Sequence, residues 1–399
     1  MQHFVTLFHN VVLTAFYLII MLSVLVMVHE WGHFVVARLF RMRVEEFSLF
    51  FGKILVRLGR RGNTEYNIRA VPLGGFVRIA GMEPDDISGG RPILEVVGQG
   101  MPDETGRAAA ENEAPKSAEI DPASYSSKPI YQRALTIMAG PIMSIVLGYF
   151  IFCALGFTVG LPNADQLTNQ VSAVITGMPA QKAGLRAGDR IVAVDGIPVH
   201  TGNELVKLIH ARPNQPMSIL VDRKGRYIPI RSHTIGVQVV ERLKNNKTRK
   251  VLQGRLGFLP QIEMQRYALV QSVVQGTRIT LQDLRGIIVS LFTKKIRENV
   301  GGPIKIAQIT YQAANRGFSV VLLLTAELSI SLGVINLFPI PILDGGHLLL
   351  LTVECVRRRK LSVKEVYIAQ MVGLTILAII FVLVTYNDIR GFIPVTKTP

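Results

Sequence analysis

Long apolar runs alternate with polar stretches along this chain, and several runs are long enough to cross a membrane. A crossing helix needs about 20 mostly apolar residues. Four windows reach that length: Val11 to Val28, Ala134 to Val159, Val320 to Phe338 and Val366 to Tyr386. The first should continue as a helix past His29. Other stretches repeat every second residue. In Glu65 to Gly81, Tyr66, Ile68 and Ala70 alternate with polar partners, Pro72 and Gly74-Gly75 mark a turn, and Phe76, Val77 and Ile79 resume the strand. That pattern predicts a β-hairpin. Residues from Gln170 to Gln261 read as a soluble, β-rich region. They carry a turn-rich AGLRAGDRIVAVDGIPV segment, a helix over Asn203 to His210, and strands over Met217 to Asp222 and Tyr227 to Arg231. The stretch from Asp85 to Lys128 is rich in Gly, Pro, Ala, Glu, Asp and Ser, and reads as a mobile linker or insertion.

Composition agrees with membrane spans joined to aqueous parts. Of 399 residues, 49% are hydrophobic and 18% charged, and the mean hydropathy of +0.34 is too high for an ordinary soluble enzyme. The net charge of +16 fits loops beside anionic lipid. No nucleic-acid motif accompanies it, so no nucleic-acid partner is expected. The two cysteines, Cys153 and Cys355, make neither a disulfide framework nor a CxxC pair. Residues 1–10 lack Lys and Arg, so the first span is expected to be retained and not cleaved as a signal peptide. Arg357, Arg358, Arg359, Lys360 and Lys364 lie between the third and fourth spans, and this basic loop is expected on the cytoplasmic side. Both termini and the region between spans two and three then face outward.

The chemistry begins at the end of the first span. His29, Glu30 and His33 form HEWGH, an HExxH motif. Residues at i and i+4 of a helix share a face, so both imidazoles can reach one metal, with Glu30 beside them to accept a proton from water. Ionisable groups in an apolar helix are costly and usually functional. A catalytic zinc takes three protein ligands and leaves one position open. The third ligand is sought in NLFPIPILDGGH, Asn336 to His347, where two prolines break the end of the third span. Asp344 and His347 are rival candidates there. Asp344 could otherwise simply cap the helix that follows.

Several motifs in order then point to a known family. HEWGH (29–33), EYNIRAVPLGGFV (65–77), MAGPIMS (138–144), GGPIKI (301–306) and NLFPIPILDGGH (336–347) resemble the site-2 protease family of intramembrane metalloproteases. The closest likeness is to the bacterial branch that carries a PDZ domain and cleaves anti-sigma factors. The resemblance implies a polytopic α-helical membrane protein with about four transmembrane helices. It adds a membrane-reentrant β-hairpin and one extracytoplasmic PDZ-like mixed α/β domain. It implies Zn2+ held by His29, His33 and Asp344, with Glu30 as the catalytic acid/base. It further implies substrate contacts from Asn336, Tyr66, Gly74, Gly75, Pro339 and Pro341. The expected partners are a membrane-embedded protein substrate, cut beforehand by another protease, a peptide or protein at the PDZ-like domain, and the bilayer of a bacterial inner membrane. The active site is expected near the cytoplasmic side.

The expected organisation is a first span over 1–40, a reentrant β region over 41–84, a linker over 85–130 and a second span over 131–160. A PDZ-like domain over 161–261, a connector over 262–318, a third span over 319–359 and a fourth span with tail over 360–399 follow. Ser144 stands where many relatives carry Asn, and Glu327 is an acid inside the third span. Two other classes compete with the protease. A PDZ-bearing scaffold with a silent metal site would be indifferent to loss of Glu30, and a transporter would not hold one tight zinc per chain.

Overall fold

The computed structural model describes residues 2–82, 121–175, 177–242, 248–291 and 301–392. Most of the expected linker, residues 83–120, lies outside the described residues. The chain divides into two units, residues 1–155 with 270–399, and residues 156–269.

Helices dominate the first unit. Helix α1 spans Gln2–Leu39 and carries no Asp, Glu, Lys or Arg before Glu30. It stops where Arg41 turns left-handed at φ 55°. Helix α2 spans Ile130–Thr158 and contains Pro141. Among the described residues, four helical stretches are long and apolar enough to cross a membrane: Val12–Leu39, Ile130–Thr158, Phe318–Asn336 and Val363–Arg390. They coincide closely with the four windows read from sequence.

Small residues let the second and third of these stretches approach. An added Cβ at Gly148 would lie 2.6 Å from Ile330 Cγ1, and one at Gly333 would lie 2.7 Å from the Pro141 carbonyl oxygen. Close packing through small residues is how apolar helices associate without a hydrophobic drive.

Strands β1 (Val44–Arg61) and β2 (Thr64–Ile79) form the β region. The expected hairpin within 65–81 is replaced by a longer arrangement. Residues 65–68 and 75–79 do not pair with each other. Both flank β1, so that Phe47 faces Tyr66 on one side and Val77 on the other. The physical reason is that β2 bends back at Pro72–Gly74, where Gly74 adopts φ 140°, and the first half of β1 fills the space between its arms. β1 also bends, at Phe50 (φ 72°) and Gly52 (φ 83°), and its second half pairs with the outer side of 64–69. A buried polar network locks the bend. Arg69 grips Glu46 at 2.7 and 3.0 Å, and Asn67 donates to the same carboxylate at 2.8 Å.

Further elements complete the unit: α5 (Leu269–Leu291), α6 (Pro303–Arg316), α7 (Phe318–Asn336), α8 (Asp344–Arg357) and α9 (Val363–Phe392). The N-terminus of α6 is satisfied from a distance. Asp388 of α9 accepts from the Gly302 N–H at 3.1 Å and the Lys305 N–H at 3.0 Å. A buried bidentate pair, Arg133 to Glu354 at 3.0 and 2.7 Å, ties the start of α2 to α8. It fixes how α8, which begins with Asp344, sits against α2.

The second unit is a sheet with helical caps. Strands β3 (Leu161–Val174), β4 (Arg190–Val194), β5 (Ile197–Pro198), β6 (Pro216–Arg223), β7 (Arg226–His233) and β10 (Phe258–Gln265) form a six-stranded sheet. Its order is β10-β3-β4-β6-β7, with β5 beside β4, and β8 (Ile235–Arg242) pairs with β9 (Thr248–Arg255) separately. The turns are where the sequence placed them. Asp195 and Gly196 both have positive φ between β4 and β5. Helix α4 (Gly202–His210) starts with a capping box between Thr201 and Glu204. The alternating apolar positions Ile191, Ile219 and Val221 meet Leu205 of α4 and Leu256 in one buried core. A short helix, α3 (Pro179–Lys182), packs on the same core through Ala180.

Candidate metal centre

α1 brings His29 and His33 to one face, as the i, i+4 spacing dictates. The two Nε2 atoms lie 3.3 Å apart. Asp344 arrives from the far end of the chain. Its Oδ2 lies 3.1 Å from His29 Nε2 and its Oδ1 lies 3.5 Å from His33 Nε2. The helix-cap alternative for Asp344 fails. The cap of α8 is Leu343, which offers no side-chain bond, and the Asp344 carboxylate turns to the histidines. His347 is not part of this cluster.

The three donors fit a metal ion. Bonds of about 2.0–2.1 Å in a tetrahedron place ligand atoms roughly 3.3 Å apart. The two Nε2 atoms match that spacing at 3.3 Å, and the Asp344 carboxylate reaches one imidazole through Oδ2 at 3.1 Å and the other through Oδ1 at 3.5 Å. The ring tautomers agree as well. His33 Nδ1–H donates to the Thr136 carbonyl at 2.8 Å, which leaves Nε2 with a free lone pair. His29 Nδ1 lies 2.9 Å from Ser144 Oγ, which can accept its proton in the same way. Such outer hydrogen bonds orient metal-binding imidazoles and raise their basicity. Ser144 is itself held, because Ser329 Oγ donates to its carbonyl at 2.6 Å. The Ser in place of the relatives' Asn therefore keeps a hydrogen-bond partner for His29.

The glycines of the motifs are explained by contact. A Cβ at Gly140 would overlap the His33 ring, and one at Gly32 would overlap the Ala139 carbonyl of α2. Gly345 and Gly346 abut the carbonyls of Leu337, Phe338 and Ile340, so the chain can fold tightly behind Asp344. Ile342 sits at φ 120°, a conformation that β-branched residues almost never adopt. It lines the cleft beside the carboxylate.

Glu30 lies next to the triad, with its Oε2 accepting the Val77 N–H at 3.0 Å. A cavity of about 230 Å³ joins these groups. Its wall comprises His29, Glu30, His33, Val77, Ile79, Met82, Asn336, Ile342, Leu343 and Asp344. Asn336 Nδ2 lies 3.3 Å from His29 Nε2. The other expected substrate residues are not on this wall. Tyr66 packs edge-on against Phe34, with ring centroids 6.2 Å apart. Gly74 and Gly75 form the bend of β2, and Pro339 and Pro341 shape the connection from α7 to α8. Sequence reasoning missed Gly140, Thr136 and Val77. Gly140 was visible in MAGPIMS, whereas Thr136 and Val77 act through backbone atoms and leave no side-chain signal.

Comparison with known proteins gives the family. The family model for peptidase family M50 matches residues 17–380. A protein of Agrobacterium fabrum named as a zinc metalloprotease is 32% identical, over 94% of this chain and 95% of its own length. A protein of Enterococcus faecalis named as a protease, eep, is 29% identical, over 94% of this chain and 98% of its own. Among solved structures, the PDZ domain of an SdrC-like protein from Listeria monocytogenes overlays 25% of this chain at 18% identity, with a TM-score of 0.18. The chain belongs to peptidase family M50, the site-2 protease family, and is a membrane-embedded zinc metalloprotease.

Proposed function

We propose that this chain hydrolyses peptide bonds of single-pass membrane proteins within the bilayer, anti-sigma factors and signal-peptide remnants being suitable substrates. In this reading His29, His33 and Asp344 hold the zinc and Glu30 is the acid/base. The observation that carries it is the convergence of three ligand atoms and one further carboxylate on a single cavity. When bound, zinc supplies Lewis-acid chemistry that makes water acidic near neutral pH and polarises a carbonyl. Glu30 accepts the proton of the attacking water and returns it to the departing amine. The Asn336 amide, at the cavity wall, donates to the carbonyl oxygen as negative charge develops there.

A helical substrate hides its peptide bonds, so it must be held extended. Residues 75–79 supply the edge of the sheet, and the substrate adds to it as a strand. Tyr66, Gly74, Gly75, Pro339 and Pro341 shape that edge and the opposite rim. In the second unit, a groove of about 220 Å³ is lined by Val206, Ile209 and His210 of α4, and by residues 254–260 with Gly257 at the turn. This groove suits the end of a peptide chain, and it supports reading residues 161–261 as a PDZ-like domain that screens substrates already cut by another protease. The basic loop at 357–364 faces the cytoplasm of a bacterial inner membrane, and the PDZ-like domain lies on the other side.

The test is cleavage of a tagged single-pass reporter by wild type and by Glu30→Gln. The variant is expected to lose at least ~100-fold in rate, the low end for a positioned acid/base, and to keep its zinc. Equal cleavage by both forms would remove Glu30 from the chemistry.

A further inference from the structure

The Val77 amide faces away from its own sheet. Ala80 N–H donates to the Arg43 carbonyl at 2.9 Å, and Phe47, Ser48 and Leu49 pair with Val77, Phe76 and Gly75 in turn. Ladder bonds alternate along an antiparallel pair. Phe76 and Arg78 therefore point their N–H groups at β1, and Gly75, Val77 and Ile79 point theirs outward. The outward Val77 N–H is where an added strand would take its first hydrogen bond. In this structure it is already taken, by Glu30 Oε2 at 3.0 Å. A carboxylate holding a backbone N–H is a charge-assisted bond, stronger than a neutral one.

We infer that Val77 N–H is a shared donor: it restrains Glu30 until it passes to a carbonyl of the extended substrate, which releases Glu30 to act as base. This rests on the reading above that the substrate adds to the edge at 75–79. No bond other than hydrogen bonds is exchanged. The substrate carbonyl gains the Val77 donor, and the freed carboxylate turns to water in the cavity. The base thus becomes available only when a peptide lies in register along the edge, which couples strand recognition to chemistry. A loose chain entering the cavity without pairing would find Glu30 occupied.

The experiment measures binding, not turnover. A labelled, uncleavable ten-residue extended peptide is titrated by fluorescence anisotropy into the zinc-loaded wild-type protein, Glu30→Gln and Glu30→Ala. A second peptide of the same composition, broken by a central proline pair, serves as the probe that cannot form a strand. If Glu30 competes for Val77 N–H, removing the competitor tightens binding of the extended peptide. Glu30→Ala should gain about tenfold, the size of one charge-assisted hydrogen bond partly offset by water. Glu30→Gln, whose amide oxygen still accepts, should fall between. Equal or weaker binding by Glu30→Ala overturns the shared donor. If the extended and proline-broken peptides bind wild type equally, strand addition itself is wrong, a failure distinct from the first. Val77→Pro adds an independent arm. Proline is tolerated at an edge position whose N–H points outward, and its loss of the donor should abolish the gain in Glu30→Ala and weaken the extended-peptide preference, which the Gly75 and Ile79 N–H groups still support. A Val77→Pro protein that retains the full gain also overturns the proposal.

Discussion

Two aspartates, one buried and one half-buried, show how differently this chain uses the same side chain. Asp189, in the sheet unit, is gripped by Arg223 through two bonds of 2.7 Å and by the Arg186 N–H at 2.8 Å. Arg223 also donates to the Gly184 carbonyl at 2.8 Å, so the pair closes on itself. Asp344, in the helical unit, faces two imidazole nitrogens at 3.1 and 3.5 Å that point at a common centre. The first arrangement saturates its groups and holds a fold. The second leaves lone pairs aimed at one point, and both of its histidines are braced from behind, by Ser144 and by the Thr136 carbonyl. A buried carboxylate marks a functional site when its partners converge beyond it, and a structural one when they end on it.

The sharpest way to break that contrast is to remove each carboxylate. Asp344→Asn should bind zinc more weakly by well over the roughly 10–100-fold that loss of a supporting hydrogen bond brings. Reporter cleavage should disappear with the metal, checked by metal analysis after chelator challenge. Retained stoichiometric zinc in Asp344→Asn would make His347 the ligand to examine. Asp189→Asn should keep its zinc and instead lose stability in the sheet unit. Leaving the half-buried Arg223 without its partner costs about 1–3 kcal/mol, and calorimetry of the full chain would read the loss.

Bracing of the centre is the next comparison. Ser144→Ala leaves His29 Nδ1 without its 2.9 Å partner. Zinc affinity should fall about 10–100-fold, and Ser144→Asn should restore it, since Asn offers an acceptor. An unchanged affinity in Ser144→Ala would show that the hydroxyl does not orient the ring. Gly140→Ala tests the other histidine, because its methyl would overlap the His33 ring. Overpacking of this kind costs about 1–3 kcal/mol, so the variant should lose part of its zinc and unfold at lower temperature.

These residues also show what the sequence could and could not disclose. The pairing of His29 with His33 is local geometry, fixed once α1 is a helix, and the spacing alone revealed it. The four apolar stretches were equally plain, because length and hydropathy are read directly. Asp344 stood 311 positions from His33, and was legible through the prolines and glycines around it and chosen over His347 through the family resemblance. The β region was misread in detail. Alternation within 65–79 shows that strands exist, but whether the two arms meet or admit a third strand depends on 44–49, and strand register is a long-range matter. The substrate contact expected at Tyr66 comes from the family resemblance, and its ring packs with Phe34 and Phe47. The Thr136 carbonyl and Val77 N–H are invisible in any sequence, since every residue but proline has both.

The mildest test of the contrast uses acid. Burial by itself would raise the Asp189 carboxyl, but the Arg223 hydrogen bonds, the Arg186 N–H and the charge of both arginines outweigh it and hold the group below the usual carboxylate range. A carboxyl lowered on folding contributes stability that is fully present above its unfolded value of about 3.9, and that is lost as pH falls through the lower folded value. The sheet unit should therefore melt at a steady temperature as far as this pair is concerned from neutral pH down to about pH 4. Its melting temperature should then decline below that point. Asp189→Asn has no proton to bind there, so its acid decline should be shallower than that of wild type, although it starts from a lower melting temperature. Calorimetry at pH 6, 4 and 3, taken as approximate stations above, at and below the unfolded value, gives the two slopes. Parallel declines would mean that the Arg223 pair carries no proton linkage. Asp189 would then fold the unit by geometry alone, and the difference between a closed pair and an open metal cradle would rest on Asp344.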